Sequence, residues 1–87
     1  MRVEKKDIET AMERLSESKE LVYKLPETFG GEFVHVALNK EGKGKWAIIL
    51  EKEEEGKPTG KKSVFITTDN AGFVAKWVNN MWAETVS

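Results

Sequence analysis

FVHVALNKEGKGKWAIILEKEEEGKPTGKKSVFIT, the stretch from Phe33 to Thr67, decides the fold. It contains three runs rich in β-branched and aromatic residues, and polar segments with glycine separate them. The first polar segment, residues 39–44, is typical of a hairpin loop. The second, residues 53–60, is also predicted to be a loop because it holds Pro58, which a central strand does not accommodate. Consecutive strands joined by short loops predict an antiparallel sheet over residues 33–67.

Amphipathic segments flank this sheet on both sides. Before it, apolar residues recur at helical spacing: Ile8, Ala11, Met12 and Leu15. This spacing predicts an N-terminal helix within residues 1–20. After it, side-chain oxygens at residues 68–70 can cap a helix, and the apolar residues that follow are spaced three and four apart. They predict a C-terminal helix over residues 70–84.

The remaining segment, residues 21–25 (LVYKL), is short and rich in strand-forming residues, and Pro26 ends it. It is either a further strand or the end of the first helix, and the sequence leaves both open. The chain is therefore predicted to be one α+β domain over residues 1–87. Its core is a curved antiparallel sheet of three to four strands, with one helix before it and one after it.

Composition narrows the classes of function. The 87 residues include no cysteine and one histidine, and the net charge is −1. Disulfides, thiolate ligands and paired-histidine metal sites are therefore excluded, and we expect no metal, no cofactor and no enzymatic activity. No apolar run approaches the ~18 residues of a membrane span, and the first residues are charged, unlike a signal peptide. We expect an intracellular protein that is not secreted.

Alternation along the three strands predicts two different sheet faces. One face is apolar throughout and comprises Val34, Val36, Leu38, Trp46, Ile48, Leu50, Val64 and Ile66. The other face mixes lysines and small residues with Phe33, His35 and Phe65. A helix could cover this mixed face, a second copy could pair with it, or an extended anionic ligand could bind it. Single-stranded nucleic acid fits the last interpretation, because lysines contact phosphates and the three rings can stack on bases.

Three stretches carry a resemblance to a known family. They are residues 33–36 (FVHV), residues 46–51 (WAIILE) after a hairpin with lysine and glycine, and residues 56–66 (GKPTGKKSVFI), the most specific of the three. From Phe33 through Trp82 the chain resembles the positive cofactor four family of transcriptional coactivators, which bind single-stranded DNA. The resemblance implies curved antiparallel strands followed by one helix, and a homodimer formed largely through that helix.

The resemblance also implies roles for individual residues. Lysines at the DNA-contacting turns and strand would be Lys43 or Lys45, Lys57, Lys61 and Lys62. Residues on the dimer helix would be Phe73, Trp77 and Met81. Residues 52–54 (KEE) depart from the family, which has base-stacking aromatic residues there, and a helix within residues 1–20 has no counterpart in the family core.

The predicted function is therefore non-enzymatic binding of single-stranded DNA or RNA by a homodimer. The alternative is a small protein-interaction module or inhibitor that binds a protein partner through the mixed sheet face or the C-terminal helix. Salt dependence separates the two, because phosphate neutralisation gives a steep loss of affinity with salt and an apolar interface does not.

Overall fold

The computed structural model of the chain describes residues 4–15, 19–40, 42, 44–81 and 83–85. Its elements, in chain order, are α1 (Lys5–Glu13), β1 (Glu20–Lys24), a 3-10 turn (Glu27–Phe29), β2 (Phe33–Leu38), β3 (Trp46–Glu54), β4 (Lys57–Thr68), α2 (Ala71–Asn80) and β5 (Glu84–Thr85). The predicted α+β class, with a helix at each end of an antiparallel sheet, is confirmed.

The strands form one antiparallel sheet in the order β4-β3-β2-β1-β5. Residues 21–25, which the sequence left open, belong mainly to β1, and this strand pairs with β2 along its whole length. β5 is only two residues long and pairs with Tyr23 and Lys24 of β1. β4 therefore forms one edge of the sheet, and it has no neighbouring strand on its outer side in the described part of the chain.

Both helices are shorter than predicted. α1 ends at Glu13 rather than extending to residue 20, because the apolar pattern fails after Leu15 and β1 begins at Glu20; residues 16–18 lie outside the described residues. α2 ends at Asn80 rather than at residue 84, because Glu84 pairs with β1. The predicted cap of α2 is confirmed, since the Asn70 side chain accepts a hydrogen bond from the Phe73 N–H at 3.1 Å.

The β3–β4 hairpin is longer than the sequence predicted. Residues 53–60 are not a loop: the turn consists of Glu55 and Gly56 alone, and Glu54 pairs directly with Lys57. Both turn residues have positive φ, 53° and 80°, which is the two-residue turn that matches the twist of antiparallel strands. Pro58 is tolerated within β4 because β4 is an edge strand, where a missing N–H leaves no neighbouring strand unpaired. The two strands therefore continue beyond the core as an arm, residues 52–62.

The hydrophobic core lies on one face of the sheet, which we call the helix face. There the two helices pack together, and their side chains meet strand residues that are completely buried: Ile8 and Met12 from α1, Val74 and Val78 from α2, and Val34, Val36 and Ile48 from the sheet. The opposite face, which we call the open face, contributes no residue to this cluster. Among the described residues, the helices therefore cover a single face.

A β-bulge in β4 reverses part of the predicted face assignment. Ile48 pairs with Ile66, but Ile49 pairs with Val64, so Phe65 is an extra residue in β4. Val64 consequently lies on the open face beside Ile49, whereas Phe65 contacts Trp77 of α2, with 5.4 Å between ring centroids. Unbroken alternation predicted the reverse for these two residues. The extra residue changes the alternation, so Ile66 and Thr67 keep their predicted faces and Val64, before the bulge, does not.

Candidate nucleic-acid interface

The open face is organised in rows that cross four strands. The central row is Val22, His35, Ile49 and Val64, each paired with the next across neighbouring strands. Lys24, Phe33, Glu51 and Lys62 form the row on one side of it. The face thus combines apolar side chains with both signs of charge, and no single charge dominates it.

Phe33 and His35 do not expose the ring faces that base stacking would need. Phe33 is 8% exposed, and the ammonium of Lys24 lies 5.1 Å from the centre of its ring. His35 is 6% exposed, and both ring nitrogens face carboxylates. The stacking role predicted for these two rings is therefore corrected: one ring is covered by a lysine and the other is held in a polar cluster.

Glu51 is the centre of that polar cluster. One carboxylate oxygen lies 2.7 Å from His35 Nε2, and the other accepts the Gly60 N–H at 2.7 Å. Glu20 Oε1 lies 3.1 Å from His35 Nδ1 at the other side of the ring. The hydrogen bond from His35 lowers the pKa of Glu51, assisted by Gly60 and by the charges of His35 and Lys62, while burial opposes the shift.

The sequence contained a signal for this cluster. Glu51 lies two residues after Ile49, the cross-strand partner of His35, so alternation places Glu51 on the open face as well. A lone histidine on a face that also holds a strand carboxylate predicts a polar cluster more directly than it predicts a stacking platform.

The predicted phosphate-binding lysines are exposed and lie along β4. Lys57, Lys61 and Lys62 are on the strand itself, within a run of nine successive exposed residues, Lys57–Phe65. Lys45 is exposed beside the other end of β4, where its N–H donates to the Thr68 carbonyl and its ammonium lies 4.9 Å from the Trp46 ring centre. Cations therefore lie at both ends of β4; Lys43 lies outside the described residues.

Aromatic side chains flank the same strand. Phe65 is 53% exposed and rests against Trp77, while Phe73, one helical turn before Trp77, is 40% exposed. Of the residues predicted to form a dimer surface, Phe73 projects from α2, whereas Trp77 and Met81 are half-buried against the core of the same chain. We call β4, Trp77 and Phe73 together the β4 edge.

The tip of the arm is electrostatically mixed. Glu54 and Glu55 line a cleft of about 400 Å³ together with Lys57, Pro58, Thr59 and Lys61. Carboxylates this close to lysines weaken the local attraction for a polyanion. The part of the β4 edge from Lys61 to Thr68 is therefore the more favourable path for phosphates.

The described residues contain no cluster of three or more metal-ligating side chains. Neither α1 nor α2 is long and apolar enough to cross a membrane, and no other described segment is a helix that could do so. Comparison of the chain with protein-family models, curated proteins and solved structures found no match. The resemblance to the positive cofactor four family thus stays a prediction from the sequence.

Proposed function

We propose that this domain binds single-stranded nucleic acid along the β4 edge and acts as a binding protein rather than an enzyme. The observation that carries the proposal is the exposed run from Lys57 to Phe65, which joins three lysines and an aromatic ring on one edge strand. Lysines neutralise backbone phosphates, and an exposed ring stacks on a base without regard to its identity.

The geometry of the β4 edge suits an extended ligand. A strand rises ~3.3 Å per residue, so the seven steps from Lys61 to Thr68 span roughly 23 Å, with Phe65 between the two ends. Trp77 supports one side of the Phe65 ring, with the two rings tilted by 38°, and this contact holds the ring in place while half of it stays exposed. Lys45 adds a cation beyond Thr68.

A single strand fits this surface better than a duplex. Stacking on Phe65 requires a base whose face is accessible, and bases in a duplex are stacked on one another. The binding that we propose is therefore tolerant of sequence and sensitive to salt.

Fluorescence anisotropy of a labelled single-stranded oligonucleotide, titrated at several salt concentrations, tests the proposal. Lys57→Ala combined with Lys61→Ala should flatten the plot of log affinity against log salt by ~0.7 to ~1.4, since each phosphate contact on a single strand contributes ~0.7 and Lys57 lies beside the carboxylates of the arm tip. Lys62 is retained, because its charge also lowers the pKa of Glu51.

The matched control is Lys6→Ala combined with Lys19→Ala, which removes the same charge from exposed positions outside β4. This control should leave the salt slope at its original value. Equal slopes for the two double variants, or no binding at low salt, would remove the β4 edge from the mechanism.

The open face supports a second candidate function, association with a second copy of this chain. Val64 is 63% exposed there and lines a shallow groove of about 210 Å³ with Ala47, Ile49 and Thr67. Val64 is adjacent to the half-buried Ile49 there, and contiguous exposed apolar surface marks interaction sites. Association through this groove would depend on protein concentration and only weakly on salt.

A further inference from the structure

One line of polar groups on the open face connects β1, β2, β3 and β4. Glu20 on β1 faces His35 on β2, His35 faces Glu51 on β3, and Glu51 accepts the backbone N–H of Gly60 on β4. The line runs from solvent into the protein, since the Glu20 side chain is 43% exposed and the Glu51 side chain 7%. Protonation of a group on this line can therefore change the hydrogen bond to the Gly60 backbone.

The Gly60 end of this line lies where β4 leaves its regular register. Pairing is regular from Ile49 and Val64 to Glu51 and Lys62, and it resumes at Glu53 and Pro58 with a shift. Gly60 has a φ of 81° within this irregular segment, and Thr59 Oγ1 donates to the Lys52 carbonyl at 2.7 Å. The carboxylate of Glu51 thus binds the segment from which the arm departs.

The hydrogen bonds along the line depend on protonation. A neutral imidazole has one N–H, so His35 donates to both Glu20 and Glu51 only as the imidazolium. An ionised Glu51 accepts from the imidazolium of His35 and from Gly60 at once. A protonated Glu51 keeps only one free acceptor oxygen; with the imidazolium N–H on the first oxygen, the proton occupies the oxygen that faces Gly60, and that hydrogen bond is lost. The other charged groups on this face near Glu51 are Lys24 from β1, Glu53 from β3 and Lys62 from β4.

We propose that Glu20, His35 and Glu51 form a proton-sensitive clasp that holds the β3–β4 arm through the Gly60 N–H and releases it when Glu51 is protonated. The pKa of Glu51 is lowered, so the clasp stays closed until the pH falls below the ordinary range of a glutamate. Lys57 and Lys61 lie on the arm, so its release would move two lysines of the proposed binding surface. That effect on binding rests on the proposed function, whereas the clasp itself does not.

Nuclear magnetic resonance of the full 15N-labelled chain between pH 7 and pH 3 tests the clasp. The Gly60 amide signal should move in one step, with a midpoint below the ordinary pKa of glutamate, as its acceptor is lost. Below that midpoint the amides of residues 59–62 should lose protection relative to the exchange rate of an unstructured chain at the same pH, while those of β2 stay protected. Simultaneous loss of protection in β2 and in the arm would overturn the proposal, because the arm would then not be released selectively.

Glu51→Gln provides the decisive variant. Its carboxamide is close to the carboxyl group in size and shape but does not titrate, so this position loses its ionisable group. The acid step at Gly60 should disappear in this variant.

Glu53→Gln is the matched control. Glu53 lies two residues away on the same strand and accepts from the Gly56 N–H at 2.7 Å, so the substitution removes an equal charge from a similar hydrogen bond. The Gly60 step should persist in it. A step that survives Glu51→Gln, or vanishes in Glu53→Gln, would contradict the clasp. No oligonucleotide is present, so failure of nucleic-acid binding would leave this test unaffected.

Discussion

The helix face and the open face belong to the same strands but use their residues for different purposes. On the helix face, Val34, Val36 and Ile48 are completely buried against the helices. On the open face, two of the buried residues, His35 and Glu51, are polar and contact each other, and Val64 is left exposed. The helix face therefore stabilises the domain, whereas the open face carries ionisable groups and exposed apolar surface.

The largest expected difference between the faces comes from two adjacent isoleucines. Ile48 is fully buried on the helix face, and Ile49 is half-buried on the open face. Ile48→Ala should lower the free energy of unfolding by about 2–5 kcal/mol, because it leaves a cavity. Ile49→Ala should cost clearly less, because its neighbourhood is already partly hydrated. Urea denaturation measures both.

Repeating the denaturation experiments at two protein concentrations tests whether a second copy covers the open face. If a second copy covers the open face, Ile49→Ala should lower the free energy of unfolding more at high protein concentration than at low concentration. Ile48→Ala should lower it by the same amount at both. Equal costs for the two variants at low concentration would contradict the assignment of Ile49 to an uncovered face.

The next largest effect should come from the bulge, which sends Phe65 and Val64 to opposite sides of β4. Phe65→Ala should weaken binding of a single-stranded oligonucleotide by about 5- to 150-fold, since stacking contributes ~1–3 kcal/mol per base. Val64→Ala should change the affinity little.

Phe29→Ala serves as the control for this effect, because Phe29 is a similarly exposed ring, 45%, in the 3-10 turn. It should leave the affinity unchanged. A loss of affinity in Phe29→Ala as large as in Phe65→Ala would mean that stacking is not confined to the β4 edge.

Much of the fold could be predicted from local sequence, and the errors share one cause. Alternation assigned Val34, Val36 and Ile48 to the core correctly, because β2 and β3 pair without a register shift along their whole shared length. It failed at Val64 and Phe65, since a bulge depends on pairing between strands and leaves little trace in a single strand. The extent of the β3–β4 hairpin was missed for a similar reason, as Pro58 indicated a loop before its position at the sheet edge was known.

The candidate site could be predicted only in part. The lysines of β4 are exposed as expected, because long charged side chains on a polar edge strand stay in solvent. The roles of Phe33 and His35 could not be derived from composition, since they depend on Lys24 of β1 and on Glu51 of β3. Segment 21–25 had to be identified as a strand before the contact of Lys24 with Phe33 could be foreseen, whereas alternation along β3 already placed Glu51 on the open face.

The smallest expected effects come from ionisation, and they have opposite directions on the two faces. Burial on the helix face raises the pKa of Tyr23 to about 12, whereas hydrogen bonds on the open face lower the pKa of Glu51. Tyr23 should therefore contribute stability that is complete below the ordinary tyrosine pKa and lost as the pH rises through about 12.

Glu51 should contribute stability that is present above the ordinary glutamate pKa and lost as the pH falls through its lowered value. Urea denaturation across pH measures both effects. Tyr23→Phe should remove only the alkaline change and Glu51→Gln only part of the acid change. An acid profile that is identical in Glu51→Gln and in the unchanged chain would contradict the assignment to Glu51.

The measurement that most directly tests the central claim is a nuclear magnetic resonance titration of the 15N-labelled chain with a short single-stranded oligonucleotide. We predict that the largest signal changes fall on the β4 amides from Lys61 to Thr68 and on the indole N–H of Trp77, with the Val22 and His35 amides of the open face nearly unaffected. Changes centred on Val22, His35 and Ile49, or no changes at low salt, would contradict nucleic-acid binding at the β4 edge.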